Sequence, residues 1–313
     1  MQTAPYFEDV TPGCIAPRAL WVTASDGAHL RLGVWNVTGA RGTVLLFPGR
    51  TEYIEKYAQT ATDFANNGLA TIAIDWRGQG LADRLISDRR LGHVARFSNY
   101  QLDVAALVKT ARALSLPQPY YLLAHSMGGA IGLRALHEGL PVAATAFSAP
   151  MWGIKLSVPM RPVAWALSST LSAFGAGAMI APGTKAENYV FTDPFEDNTL
   201  TTSAETFALM QNQMSKHPEL ALGGPTLQWL IEALRECRKL HHMESPETHC
   251  LTVLGTNERI VDVPRIHNRM KRWPNGRLAL VEGAEHEMLM ENPAIREPVF
   301  AQIIAHFGPH IRS

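Results

Sequence analysis

The chain has 313 residues, 46% of them hydrophobic and only 18% charged. That is ample apolar material for a large core and excludes a disordered chain. Lys plus Arg and Asp plus Glu number 28 each, so the net charge is zero, nothing suggests the basic face that nucleic-acid binding needs, and no nucleic-acid partner is expected.

In chain order, Met1 to Pro17 contains Glu8 and Asp9 and has neither a basic n-region nor an apolar h-region. No signal peptide is expected there. Cys14, Cys237 and Cys250 are too few and too scattered for a disulfide framework, and they form no CxxC pair. Together these predict a cytoplasmic protein, at most peripheral to the inner membrane. Leu30 to Val37 and Thr43 to Phe47 read as strands, the second ended by Pro48-Gly49. Tyr53 to Asn67 has helical spacing, and Ala70 to Ile74 is a further apolar run before the turn-like Arg77-Gly78-Gln79-Gly80. Leu102 to Leu114 predicts a helix, Tyr120 to Leu123 a strand, Ser126 to His137 a helix and Val142 to Phe147 a strand. Short apolar strands alternating with helices imply a mostly parallel sheet covered on both faces.

The alternation stops near Pro150. Met160, Val163, Leu167, Leu171 and Phe174 fall at helical spacing, as do Phe207, Met210 and Met214, and then Leu227, Leu230, Ile231 and Leu234. Strands resume at Leu251 to Leu254 and Leu278 to Val281, with helices near Pro264 to Arg272 and from Pro293 to Phe307. The economical organisation is one α/β core, residues 1–150 and 239–313, with an inserted helical cap, or lid, over 151–238. Between Arg161 and Lys185 no residue is charged, a length that could span a bilayer. Its Ala, Ser, Gly and Thr content and the bracketing Pro162 and Pro182 argue for a surface helix instead. A single span would also put the two ends of the candidate site on opposite sides of the membrane.

Ala124-His125-Ser126-Met127-Gly128-Gly129 lies where a strand passes directly into a helix, the setting of a nucleophile elbow. Small neighbours are required there because strand and helix pack closely. Ala124 stands where Gly is usual, a mild departure. A serine hydroxyl needs a base within hydrogen-bond reach. Of twelve histidines, His286 follows the last predicted strand, and its loop opens on the same sheet edge as Ser126. His125 reads as a packing residue, His93 as a cleft or structural residue, and His241 and His242 as members of an exposed polar loop. The acid that orients the imidazole should follow the preceding strand, where Glu258 and Asp262 both stand. Glu258 is nearer the strand end, and Asp262 suits a helix N-cap. The backbone N–H groups of Met127 and Arg50 are the candidate oxyanion donors. Gly78-Gln79-Gly80 lacks the third glycine of a dinucleotide loop, no P-loop or HExxH is present, and neither a cofactor nor a metal is expected.

The chain resembles the monoacylglycerol-lipase-like branch of the α/β hydrolases, and especially its bacterial lysophospholipases. The resemblance is carried by Pro48-Gly49-Arg50-Thr51-Glu52-Tyr53 with Tyr57, Asp75-Trp76-Arg77-Gly78-Gln79-Gly80, Gly92-His93-Val94, the Ser126 segment, Glu258-Arg259-Ile260-Val261-Asp262 and Gly283-Ala284-Glu285-His286-Glu287. It runs from about residue 20 to 310, is looser in the insertion, and departs at Leu81-Ala82, where the family often has Ser at the second position. It implies the α/β-hydrolase fold, an acyl-enzyme, a Ser126–Glu258–His286 triad, Arg50 and Met127 as oxyanion donors, and a cap over an acyl pocket. Met160, Trp165, Phe174, Met210, Met214 and Trp229 are candidate pocket residues, although such stripes are common in plain helix packing. The expected partner is a small-molecule or lipid ester, with peripheral membrane contact through the lid. A peptidase, lactonase or small-ester carboxylesterase could use the same triad, and a non-catalytic binding protein could keep the same fold. Nothing in the sequence speaks to oligomeric state.

Overall fold

The computed structural model describes residues 1–155 and 176–310. Nine strands form one sheet in the order β1-β2-β3-β5-β4-β6-β7-β8-β9. They are β1 Gln2–Thr3, β2 Arg18–Thr23, β3 His29–Trp35, β4 Thr43–Phe47, β5 Ala70–Asp75, β6 Tyr120–His125, β7 Ala144–Ser148, β8 His249–Gly255 and β9 Gly276–Val281. The first three strands are antiparallel to their neighbours, and the pairs from β5 through β4, β6, β7 and β8 to β9 are parallel. The sheet is therefore mostly parallel, as expected. Strands β1 and β2 go beyond the sequence reading.

Strand β4 lies between β5 and β6, so the chain first moves to one side of β4 and then crosses to the other. This reversal at the C-terminal ends of β4 and β6 is a topological switch point, the place where open α/β sheets bind their ligands. Pro48-Gly49-Arg50 and Ser126 lie at those two ends.

Both sheet faces are covered because β4, β5, β6 and β7 are mostly apolar and buried along their whole length. One face packs against α2 (Tyr100–Ala113) and α3 (Met127–His137), through Val104, Leu107, Ile131 and Leu133. The other packs against α1 (Ala58–Asn66) and the last helix (Pro293–Phe307), through Phe64, Phe300, Ile303 and Phe307. Each large apolar side chain so buried contributes roughly 1.5–3 kcal/mol. Tyr53 to Asn67 begins as a 3-10 turn, Ile54–Tyr57, before becoming α1.

Between β7 and β8 the described residues hold a single turn at Tyr189–Thr192 and two longer helices, α4 (Ala204–Lys216) and α5 (Leu227–His242). Phe207, Met210 and Met214 of α4 form a small core with Val190, Leu200, Leu220 and Tyr53. Helix α5 docks on α3 through Arg134 Nε, which donates to Glu236 Oε1 at 2.6 Å. The structure departs from the sequence reading at His241 and His242. They close the last turn of α5 instead of lying in a loop. Arg238, Lys239 and these histidines put basic groups at the helix C-terminus, where the macrodipole favours positive charge. Among the described residues no helix is long and apolar enough to cross a membrane. Residues 156–175, with the candidate pocket residues Met160, Trp165 and Phe174 and most of the uncharged stretch, lie outside the described residues.

Candidate active site

Ser126 stands between β6 and α3 with φ +50° and ψ −117°, a left-handed conformation that costs a non-glycine residue of order 1–3 kcal/mol. The surroundings hold it there. Its N–H donates to Ser148 O at 3.0 Å, and its carbonyl accepts from Gly129 and Met151, each at 2.8 Å. The two glycines are needed for close approach. A Cβ on Gly128 would lie 2.1 Å from Phe47 O, and one on Gly129 would lie 2.5 Å from Pro150 Cβ. Met127 is the first residue of α3, so its N–H has no intrahelical acceptor.

His286 is 4% exposed, and its Nδ1 lies 2.6 Å from Glu258 Oε2. The other Glu258 oxygen accepts from the Ile260 and Val261 N–H groups at 2.6 and 3.0 Å. Burial pushes the Glu258 carboxyl up, but His286 and these donors outweigh it and hold the group below the ordinary carboxylate range. Asp262 is not in this arrangement. It caps the helix Val263–Lys271, accepting from Arg265 N at 3.3 Å. Ser126 Oγ makes no hydrogen bond to His286. His125, the residue before Ser126, has its ring centroid 4.7 Å from that of His286. Nucleophile–base contacts are often loose without substrate.

His125 and His93 have structural partners. His125 Nδ1 lies 3.1 Å from Ser148 O, and burial pulls its pKa down to about 3, so it is neutral at physiological pH. His93 Nδ1 lies 3.0 Å from the Thr226 hydroxyl at the N-cap of α5.

The loop carrying Arg50 is fixed by groups that the sequence reading left without a role. Trp76 Nε1 donates to Pro48 O at 2.9 Å. Gln79 Nε2 donates to Gly49 O at 2.8 Å and to Glu52 O at 3.1 Å. The Gly49 N–H donates to the Glu52 carboxylate, which also accepts from Tyr57 Oη at 2.6 Å. Lys56 Nζ sits between two buried carboxylates, 2.8 Å from Glu52 and 2.6 Å from Glu287. Burial would raise both acids. Lys56, nearby His125 and the hydrogen bonds bring Glu52 well below its ordinary value, whereas Glu287 stays above it. Glu52, His125 and Glu287 present ligand atoms within 4.8 Å of one another, a spacing suited to a metal ion, but the Lys56 ammonium already supplies the cation there.

Of the candidate pocket residues that are described, Met210 and Met214 are buried in the small core of α4. Trp229 donates from Nε1 to Tyr100 Oη at 3.1 Å and lies under the Arg50 guanidinium, 5.7 Å from its ring centroid. Arg50 Nη1 donates to Gly223 O at 2.7 Å, so this side chain links the Pro48-Gly49-Arg50 loop to the segment before α5.

A family model described as serine aminopeptidase, S33 matches residues 38–293. Lysophospholipase L2 of Escherichia coli strain K12 is 33% identical over 282 residues, spanning 85% of this chain and 80% of that protein. Probable lysophospholipase L2 of Haemophilus influenzae is 28% identical over 268 residues, 85% of this chain and 83% of that one. Among solved structures, a soluble variant of monoglyceride lipase from Saccharomyces cerevisiae, in complex with a substrate analog, superposes with a TM-score of 0.76 at 19% identity, covering 99% of this chain and 100% of that chain. At that identity the likeness speaks to the fold alone.

Proposed function

The chain belongs to the S33 serine aminopeptidase family of α/β hydrolases, and from that premise we propose a lysophospholipase or monoacylglycerol-lipase-like esterase working through an acyl-enzyme. Ser126 Oγ attacks the ester carbonyl while His286 Nε2 takes its proton. Glu258 holds the Nδ1–H tautomer and stabilises the imidazolium. The Met127 and Arg50 N–H groups receive the oxyanion. His286 then protonates the leaving glycerol oxygen, and water attacks the acyl-enzyme by the reverse route to release the fatty acid. The observation that carries this reading is the buried His286–Glu258 pair, 2.6 Å apart, on the sheet edge where Ser126 is held in its left-handed turn. Residues 151–238 serve as the cap. The exposed Met179, Phe191 and Leu209 on it are the side chains we assign to contact with lipid.

The test is fatty-acid release from lysophosphatidylcholine and monoacylglycerol across chain lengths. Ser126→Ala should lower turnover by roughly four to six orders of magnitude. Glu258→Gln should cost about 10⁴-fold, as loss of a tautomer-holding acid does in serine proteases. Asp262→Asn should leave turnover near wild type. A Ser126→Ala enzyme with wild-type activity would sink the mechanism. Cleavage of short aryl esters without lipid release would keep the triad and discard the lipid substrate.

A further inference from the structure

Arg50 is a charged group whose own contacts leave part of it unused. Its guanidinium donates once, to Gly223 O, and lies over Trp229. Among the described residues no carboxylate is within ion-pair distance of it. The ionisable groups around it are the phenols of Tyr189 and Tyr100, which burial keeps neutral at physiological pH. Burial pulls Arg50 itself down to about 10, so it still carries its charge at neutral pH.

Two other arginines share this desolvated, carboxylate-free state, and both differ from Arg50 in a telling way. Arg269 satisfies itself on the Leu240 and Met243 carbonyls and the Ser245 hydroxyl. Arg84 has unpartnered Nε and Nη1 atoms, but they are sealed from solvent. Arg50 has neither arrangement. Its Nε and Nη2 make no hydrogen bond and are not among the sealed atoms. The unspent donors therefore belong to the one such cation that starts from the oxyanion loop. A guanidinium with a free edge suits a phosphate or carboxylate oxygen pair.

We propose that the Arg50 guanidinium binds the phosphodiester of a lysophospholipid substrate, so that one residue gives its backbone N–H to the oxyanion and its side chain to the head group. The chemistry of the substrate matches this division. A lysophospholipid carries phosphate and ester on the same three-carbon glycerol, so the phosphate lies only a few bonds from the carbonyl under attack. The guanidinium likewise lies one side chain from the N–H. A monoacylglycerol has the ester and no phosphate, and leaves the guanidinium without an anion. The proposal rests on the esterase reading above and narrows it to the phosphorylated substrate class.

The experiment compares kcat/KM for lysophosphatidylcholine and monoacylglycerol of one acyl chain, in wild type, Arg50→Met and Arg50→Lys. All three keep the backbone N–H. Whatever loss the two substrates share, their ratio should shift against lysophosphatidylcholine by roughly 10- to 100-fold in Arg50→Met, the scale of a hydrogen bond to a charged group. Arg50→Lys should recover part of it. An equal fall for both substrates would overturn the proposal and make the side chain a tether between loop and cap. A second arm needs no variant. Glycerophosphocholine should inhibit wild type competitively, while glycerol and inorganic phosphate should be much weaker. Inhibition by inorganic phosphate at the same concentration would overturn the head-group assignment in favour of a free-anion site. Wild type that releases fatty acid from monoacylglycerol but not from lysophosphatidylcholine would also overturn it, with the esterase reading intact. Wild type that releases none from either would remove the esterase reading itself.

Discussion

Two buried clusters grow from one short segment, Glu52 to Tyr57, and each sets one cation between two carboxylates. In the first, Arg31 donates to Glu55 at 2.7 Å and to Asp75 at 2.7 Å, and neither the cation nor the acids have exposed side-chain surface. Its remaining bonds go to architecture. Arg31 reaches Pro5 O, Glu55 accepts from Phe7 N, and Asp75 accepts from Ile54 N and Leu81 N. In the second, Lys56 bridges Glu52 and Glu287, and the remaining bonds go to the Gly49 N–H and to Tyr57, beside His125 and His286. The charge plan is the same and the neighbours differ. The first cluster ties the N-terminal segment and β3 to β5. The second sets the loop from which Arg50 points its N–H. What a buried ion pair does for a protein is thus read from the backbone groups its acids accept from, not from the pair itself.

The largest effect that tests this contrast is removal of each cation. Arg31→Met and Lys56→Met both strand two buried carboxylates, and each should cost about 3–5 kcal/mol of stability. Denaturant unfolding checks that they cost alike. Turnover per folded molecule should then separate them: unchanged for Arg31→Met, lower for Lys56→Met. Equal turnover in the two variants would mean that the second cluster supports only the fold.

A smaller change sharpens the same contrast. Glu52→Gln keeps the size of the side chain but weakens the hydrogen bond that fixes Gly49. The oxyanion donors proposed for this loop act mainly in the transition state, so kcat should fall roughly 10- to 100-fold with KM within a few-fold. Glu55→Gln, the matching change in the first cluster, should leave kcat alone and lower stability. A Glu52→Gln enzyme whose KM rises while kcat holds would show that the loop shapes substrate binding instead.

The sequence carried the parts of this arrangement that are local. Thr43–Phe47 and Pro293–Phe307 were readable to the residue because an apolar run and a Pro-headed helix signal are written in consecutive positions. Ser126 was readable because a strand, a small-residue turn and a helix adjoin there. Glu258 and Asp262 separated on the rule that the residue nearest a strand end faces the crevice and the next acid caps the helix, which is how they pair with His286 and Arg265 N. Strand β2 escaped because Arg18–Thr23 follows a Pro-rich start, and its pairing with β3 is a tertiary fact. The Lys56–Glu287 pair joins residues far apart in the chain, and no periodicity announces it. Arg50 was marked for its N–H alone, because the contact with Gly223 and Trp229 depends on how the cap segment returns over the loop.

Acid gives the gentlest way to tell the clusters apart, because only the second has a histidine against it. Burial depresses His125 to about 3 from 6.5, opposed by Glu52 and reinforced by His286 and Lys56, with Glu258 also opposing. Between those values the unfolded chain binds the proton and the native state does not. His125 should therefore withdraw stability as pH falls from about 6.5 toward 3, by at most about 1.4 kcal/mol per pH unit, and contribute no slope above that window. Urea unfolding of wild type and His125→Asn at several pH values between 4 and 8 measures the difference directly. Converging curves below pH 6.5 are expected, since the variant has lost the group that must be kept neutral. Curves that stay parallel down to pH 4 would mean that His125 titrates freely and that the second cluster is open to water, which would remove its claim to set the Arg50 loop from a dry, fixed position.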